Sequence, residues 1–193
     1  MARKKNGEVI TFPTVEMEFD PVANLVEFLA CPARISNAIE EKAKAIAIQC
    51  IEAFDGEGLF AVELFLTRDG EVLVNEIAPR PHNSGHHTIE ANYTSQYEQL
   101  NRILLDLPLG ATDLVSPAVM INLLGTEGVS GAYSIQGLDE ILALPGVYIH
   151  LYGKAETRPK RKMGHATILA KTLDEAIEKA KFVRDTFRFI PAS

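Results

Sequence analysis

Glu63 and Glu76 flank an Asp69-Gly70 dipeptide in two β-rich runs, LFAVELFLT (59–67) and EVLVNEI (71–77). Asp-Gly supplies both positive φ angles of a type I′ turn, so a two-residue turn pairs Arg68 with Glu71 and, counting outward, Glu63 with Glu76. Like charges opposed across a strand pair are destabilising. Their neighbours on that face, Phe65 and Val74, are apolar, so a cation is expected between the carboxylates. A hard divalent ion such as Mg2+ takes one or two carboxylates and completes its shell with water and nucleotide phosphates. The alternative is an edge hairpin whose glutamates simply face water.

The run VNEIAPRPHNSGHHTIEA (74–91) continues from the second strand and brings Arg80, His82, Asn83, His86 and His87 to the mouth of the same sheet. Its donors suit a small oxyanion; the alternative is a surface loop with coincidental histidines. Zinc is disfavoured, because the loop has neither a His-x3-His helix nor a cysteine partner. A third cluster, KAETRPKRKMGH (154–165), concentrates Lys154, Arg158, Lys160, Arg161 and Lys162 in an acidic chain. Such a patch holds a phosphate monoester by charge-assisted hydrogen bonds, or else is a solvated charged turn.

The elements that must position these groups follow from pattern. Residues 8–16 (EVITFPTVE) read as a strand, with Pro13 at an edge or bulge. Met1-Ala2-Arg3 reads as the end of a preceding strand, with a hairpin turn in Lys5-Asn6-Gly7, so the chain opens inside a sheet as though cut there. Apolar residues from Ile39 to Phe54 recur at helical spacing, with Asn37 and Glu40 able to cap and Asp55-Gly56 ending the helix. The two β runs form a hairpin, and 78–88 an ordered loop. Ser95-Gln96-Tyr97-Glu98 is a capping box opening a helix with Leu100, Ile103 and Leu104 on one face, closed by Pro108 and Gly110. Strands are expected at 117–125, 146–153 and 163–171, a short helix near 137–144, and, from the capping box at Thr172-Leu173-Asp174-Glu175, a helix over 172–188.

At 193 residues and 21.2 kDa the chain is long enough for one or two domains with a real core. A net charge of −7 and a pI near 5.3 argue against general binding to nucleic acid or anionic membranes, and no apolar run approaches a membrane span. Cys31 and Cys50 lack metal-ligand spacing and no leader precedes the first turn, so a reducing cytoplasm is the expected compartment.

The string NEIAPRPHNSGHHTIEA followed by TSQYEQ, together with LYGKAETRPKRKMGH, resembles the ATP-grasp ligases of purine synthesis that form 5-(carboxyamino)imidazole ribonucleotide. The likeness runs from Arg3 to the C-terminus and covers only the C-terminal half of that family's length. It implies an α+β chain: the C-terminal portion of an ATP-grasp domain over 1–112, then a small strand-rich domain over 113–193 with a closing helix. It also implies ATP and Mg2+ as cofactors, aminoimidazole ribonucleotide and bicarbonate as substrates, and carboxyphosphate as intermediate. Carried over by position, Glu63 and Glu76 resemble the magnesium ligands, and Asn75 with Glu76 the dipeptide that meets ATP. Arg80, His82 and Asn83 resemble the residues around carboxyphosphate, and Lys154 and Arg161 those that hold the ribonucleotide 5′-phosphate. Two positions depart: His87 stands where an aromatic residue is usual, and Lys160 where glycine is common. The family's adenine-contacting residues and lysines precede the point where this chain begins, so the chain alone is expected to fold without turning over. An exposed former interface would allow a homodimer. The alternatives are another purine-pathway ATP-grasp ligase, of the formate-dependent glycinamide ribonucleotide transformylase type, and a non-catalytic dimerisation or scaffolding module.

Overall fold

The structure, a computed structural model, describes residues 1–4, 6–19 and 26–192. In chain order the elements are β1 Ala2–Arg3, β2 Val9–Ile10, β3 Glu16–Phe19, β4 Val26–Cys31, α1 Asn37–Glu52, β5 Gly58–Leu59, β6 Ala61–Leu66 and β7 Val72–Ala78. After a single 3-10 turn at Asn83–Gly85 come α2 Thr88–Ala91, α3 Gln96–Leu104, β8 Ala118–Leu124, β9 Tyr133–Gln136, α4 Leu138–Leu142, β10 Val147–Leu151, β11 Lys162–Leu169, α5 Leu173–Thr186 and β12 Arg188–Pro191.

These elements form two compact units. The first holds Met1–Val15 and Pro32–Val115. Here β1 pairs with β2 through a turn at Asn6-Gly7, as expected, and on its other edge with β5; Lys5 of that turn lies outside the described residues. Ala2, Leu59 and Ile103 form a small core with Ile10, Phe12, Leu100 and Leu109 around it. Helix α1 starts one residue earlier than the Asn37/Glu40 cap expected: Ser36 Oγ accepts the Ile39 N–H at 3.4 Å, while Glu40 is drawn to Lys44 at 3.0 Å. Helix α3 opens on its capping box, Ser95 Oγ accepting from Glu98 N at 3.1 Å.

The second unit holds Ser116–Ser193 and also Glu16–Cys31. The early segment Glu16–Cys31 is thus grouped with residues that lie far beyond it in sequence. Strand β4 pairs with β8 (Leu29 with Met120, Cys31 with Ala118), and β3 pairs with β4, so backbone hydrogen bonding draws the early segment into the later sheet. The sheet runs β10-β11-β8-β4-β3, antiparallel throughout. Its one face buries Val119, Ile121, Leu123 and Ile168 with Ala176, Ala180 and Val183 of α5, whose cap is Thr172 Oγ1 accepting from Glu175 N at 3.2 Å. The expected strand over 8–16 breaks instead into β2 and β3 at either end, with Thr11–Val15 outside any ladder. Helix α5 stops at Thr186, and Phe187 is extended and leads into β12, which pairs with β9.

Candidate functional site

Residues Arg68, Asp69 and Gly70 form the tip of the β6–β7 hairpin. Thr67 N donates to Glu71 O at 2.9 Å and Gly70 N to Thr67 O at 3.1 Å, with Gly70 at φ +83°. This is a three-residue loop closed by a left-handed glycine, not the two-residue turn expected. The change slips the register by one, so Leu64 faces Val74 and Phe65 faces Leu73. Leu73, not Val74, is therefore the apolar residue beside Phe65. A bulge then restores the count: Asn75 is the extra residue on β7, and beyond it Glu63 lies opposite Glu76. Two departures from the simplest geometry cancel at the carboxylate pair.

The bulge also gives Asn75 a task. In a regular strand it would point away from Glu76; here its Nδ2 donates to Glu63 Oε2 at 3.3 Å, while Glu76 holds the ladder position facing Glu63. Among the described residues no group of three or more His, Cys, Asp or Glu could enclose a metal. That donor set does not suit a closed zinc site. It suits a hard cation that takes one or two carboxylates and leaves the remaining positions to water or phosphate.

The loop after β7 is held by Gln96, the first residue of α3 and itself buried. Its Oε1 accepts the His82 N–H at 2.9 Å; its Nε2 donates to His82 O at 3.0 Å and lies 3.1 Å from His86 Nδ1. Thr88 Oγ1 donates to Gly85 O at 2.6 Å and accepts from Gln96 N at 2.9 Å. With both backbone groups of His82 fixed, its ring is fixed too: Nδ1 accepts from Ser84 N at 3.4 Å and lies 2.9 Å from Ser84 Oγ. That assigns the ring proton to Nε2, which lies 3.9 Å from Glu63 Oε1. His82 thereby stands beside Glu63. Arg80 is exposed, its Nη1 donating to Pro81 O at 3.1 Å. Asn83 opens the 3-10 turn, its carbonyl accepting from His86 N at 3.1 Å.

Gln96 is the residue that sequence reasoning passed over, because in a capping box it reads only as a helix-start position. His87 lies at the other extreme. It is 1% exposed, its ring nitrogens have no hydrogen-bond partner among the described residues, and burial lowers its pKa from 6.5 to about 4. It serves as a buried, uncharged ring.

In the second unit, Lys154 and Arg161 stand on opposite arms of the loop between β10 and β11, each bonded across it. Lys154 Nζ donates to Lys162 O, and Arg161 Nη1 to Glu156 O at 2.6 Å. The Lys154 ammonium also lies 5.7 Å from the Tyr152 ring centroid, and Tyr152 OH lies 3.1 Å from His165 Nδ1. His165 stacks on His150 with centroids 4.4 Å apart. Each cation keeps further N–H donors for an anion.

A model of the ATP-grasp domain matches residues 1–97, and one of the phosphoribosylaminoimidazole carboxylase C-terminal domain matches 118–179. The chain is 44% identical over 179 residues to N5-carboxyaminoimidazole ribonucleotide synthase of Bacillus subtilis, covering 93% of this chain and 45% of that protein. Among solved structures, N5-carboxyaminoimidazole ribonucleotide synthetase from Thermotoga maritima superposes with a TM-score of 0.90 at 47% identity, covering 99% of this chain and 51% of that one. N5-carboxyaminoimidazole synthase from Aspergillus clavatus, in complex with ADP and 5-aminoimidazole ribonucleotide, gives 0.83 at 36% identity, covering 95% and 49%. The chain spans about half the length of these relatives.

Proposed function

The chain belongs to the ATP-grasp family, and from that premise we propose that it forms the metal-side and substrate-phosphate-side half of an ATP-dependent ligase. The ligase carboxylates aminoimidazole ribonucleotide with bicarbonate through carboxyphosphate. The observation that carries this reading is the Glu63–Glu76 pair with Asn75 on its bulge. The names of the relatives support the carboxylating reaction over a formate-dependent glycinamide ribonucleotide ligase.

Glu63 and Glu76 would hold Mg2+, which when bound supplies positive charge where phosphoryl transfer develops negative charge. Asn75 and Glu76 meet the nucleotide phosphates. Arg80 and Asn83 offer N–H donors to carboxyphosphate, and His82 presents a proton at Nε2 on the side of Glu63. Lys154 and Arg161 hold the ribonucleotide 5′-phosphate. Phosphoryl transfer depends chiefly on positioning and charge, and this half contributes metal ligands without an adenine clamp, so the chain alone binds nucleotide weakly and does not turn over.

Two further parts of the proposal have their own support. Cys31 and Cys50 are not joined in a disulfide, as in a reducing cytoplasm, and no helix among the described residues is long and apolar enough to cross a membrane. Exposed Leu104, Leu105 and Leu107 at the end of α3 support homodimer formation.

Calorimetric titration of the chain with ADP tests the central reading. Binding is expected only with Mg2+ and is lost in Glu76→Gln, while the metal-free variant gains up to about 1 kcal/mol of stability from relief of carboxylate repulsion. Binding that ignores both Mg2+ and the substitution would overturn it.

A further inference from the structure

The turn that carries the basic cluster is held in a conformation that its sequence resists. Arg161 N donates to Arg158 O at 3.1 Å, closing a four-residue turn with Pro159 second and Lys160 third. Lys160 has φ +61°. Proline second and a left-handed residue third is the pattern of a type II turn, where glycine is favoured at the third position, because a side chain there crowds its own backbone.

The conformation cannot relax locally. Lys160 N donates to Gly125 O at 2.9 Å, and Gly125 N donates to Arg161 O at 2.8 Å, so the turn is clamped on both sides of Lys160 to the residue that follows β8. Glycine is required at 125 by this close approach: a Cβ there would overlap the Arg158 carbonyl oxygen and lie 2.6 Å from Thr157 Oγ1.

The ammonium of Lys160 gains nothing inside the fold that would offset this strain. The residue is exposed, and its side chain has no acid or acceptor among the described residues. Lys154 and Arg161, by contrast, each spend one donor on a backbone carbonyl across the loop. A strained backbone carrying a solvated cation with no partner among the described residues, next to Arg161, points to a residue kept for a ligand.

We propose that Lys160 is a further phosphate-recognition residue, adding charge beside Arg161 for the phosphomonoester of the ribonucleotide. This rests on the assignment of Lys154 and Arg161 to the phosphate, and the test separates the two. The side chain is flexible and solvated, so its contribution is electrostatic: it strengthens binding at low ionic strength and fades as salt screens it.

The experiment titrates the 193-residue chain with ribose 5-phosphate, followed by amide chemical shifts at low salt and at ~1 M salt. Lys160→Gln keeps a side chain at the left-handed position and removes the charge; Lys160→Arg keeps both. At low salt Lys160→Gln is expected to weaken binding roughly fivefold, the Boltzmann weight of about 1 kcal/mol for two charges some 4 Å apart in water. Lys160→Arg should stay within about twofold of the parent, and the difference should vanish at high salt, where the Debye length is ~3 Å. Arg161→Ala, which removes a hydrogen bond to a charged group, should cost tenfold or more. If Arg161→Ala loses binding while Lys160→Gln does not, Lys160 is excluded and the phosphate site stands. If Arg161→Ala binds like the parent, or the parent does not bind, the site assignment and this proposal both fall.

Discussion

Acid should unfold this protein through His87 earlier than its carboxylates require. Buried and held neutral, His87 binds a proton only near pH 4 in the folded chain, against an ordinary value of 6.5. Between those values the unfolded chain holds the extra proton, so stability falls as pH falls. The contribution is fully present above pH 6.5 and fully lost below about 4. At 1.36 kcal/mol per pH unit the gap corresponds to about 3 kcal/mol, a large share of the 5–15 kcal/mol typical of a domain. Burial is the main cause; the Ser84 backbone works against it, and the neighbouring His86 works in the same direction as burial. The assay is urea denaturation from pH 7.5 to 4, on the parent and on His87→Phe, which retains an aromatic side chain without a titrating nitrogen. The buried Met1 amine, lowered to about 5, contributes the same sign in both proteins and cancels in the comparison. The parent should lose about 3 kcal/mol more than His87→Phe across this range. Parallel pH profiles would refute the reasoning, as would a His87 ring that titrates near 6.5 by NMR in the folded chain.

Two further substitutions probe the parts that hold the site. Gln96→Ala removes both partners of the His82 backbone and should cost about 1–3 kcal/mol, the usual penalty for a donor or acceptor left unpaired away from water, with faster hydrogen exchange at the His82 amide as the local readout. Gly125→Ala drives a methyl group into the Arg158 carbonyl and should cost about 1–3 kcal/mol, as overpacking does; amide shifts should move in 157–161 while the β8–β11 ladder stays intact.

The carboxylate pair was legible in the sequence, although by a route the structure revises. Asp-Gly is compatible with both two- and three-residue hairpin loops, and nothing in the local pattern separates them. A polar residue that bulges, as Asn75 does, looks the same as one that alternates. The pairing survives because the bulge lies between the turn and Glu76. Helices α1, α3 and α5 could be read because their apolar period and caps are local. Strand β4 could not, since its partner lies in β8, far along the chain, and β3, which pairs with β4, alternates over only four residues, EMEF. The same holds for β12, where Phe187 keeps the helical period of α5 although the backbone has already become extended. Gln96 was hidden for another reason: its helix-start position accounts for it locally, while its contacts reach back to His82.

The pairing of β4 with β8 sets an order on synthesis. Phe28, Leu29, Ala30 and Cys31 are all buried in the finished fold, yet the strand that covers their free edge begins at Ala118. At roughly 5–20 residues per second, the ribosome leaves that edge open for on the order of ten seconds. During this interval the nascent chain presents an apolar strand, paired only with β3, to whatever edge it meets first. Trigger-type chaperones, slow synthesis and low temperature should therefore affect soluble yield more than final stability, and aggregates formed during expression should be joined through this segment.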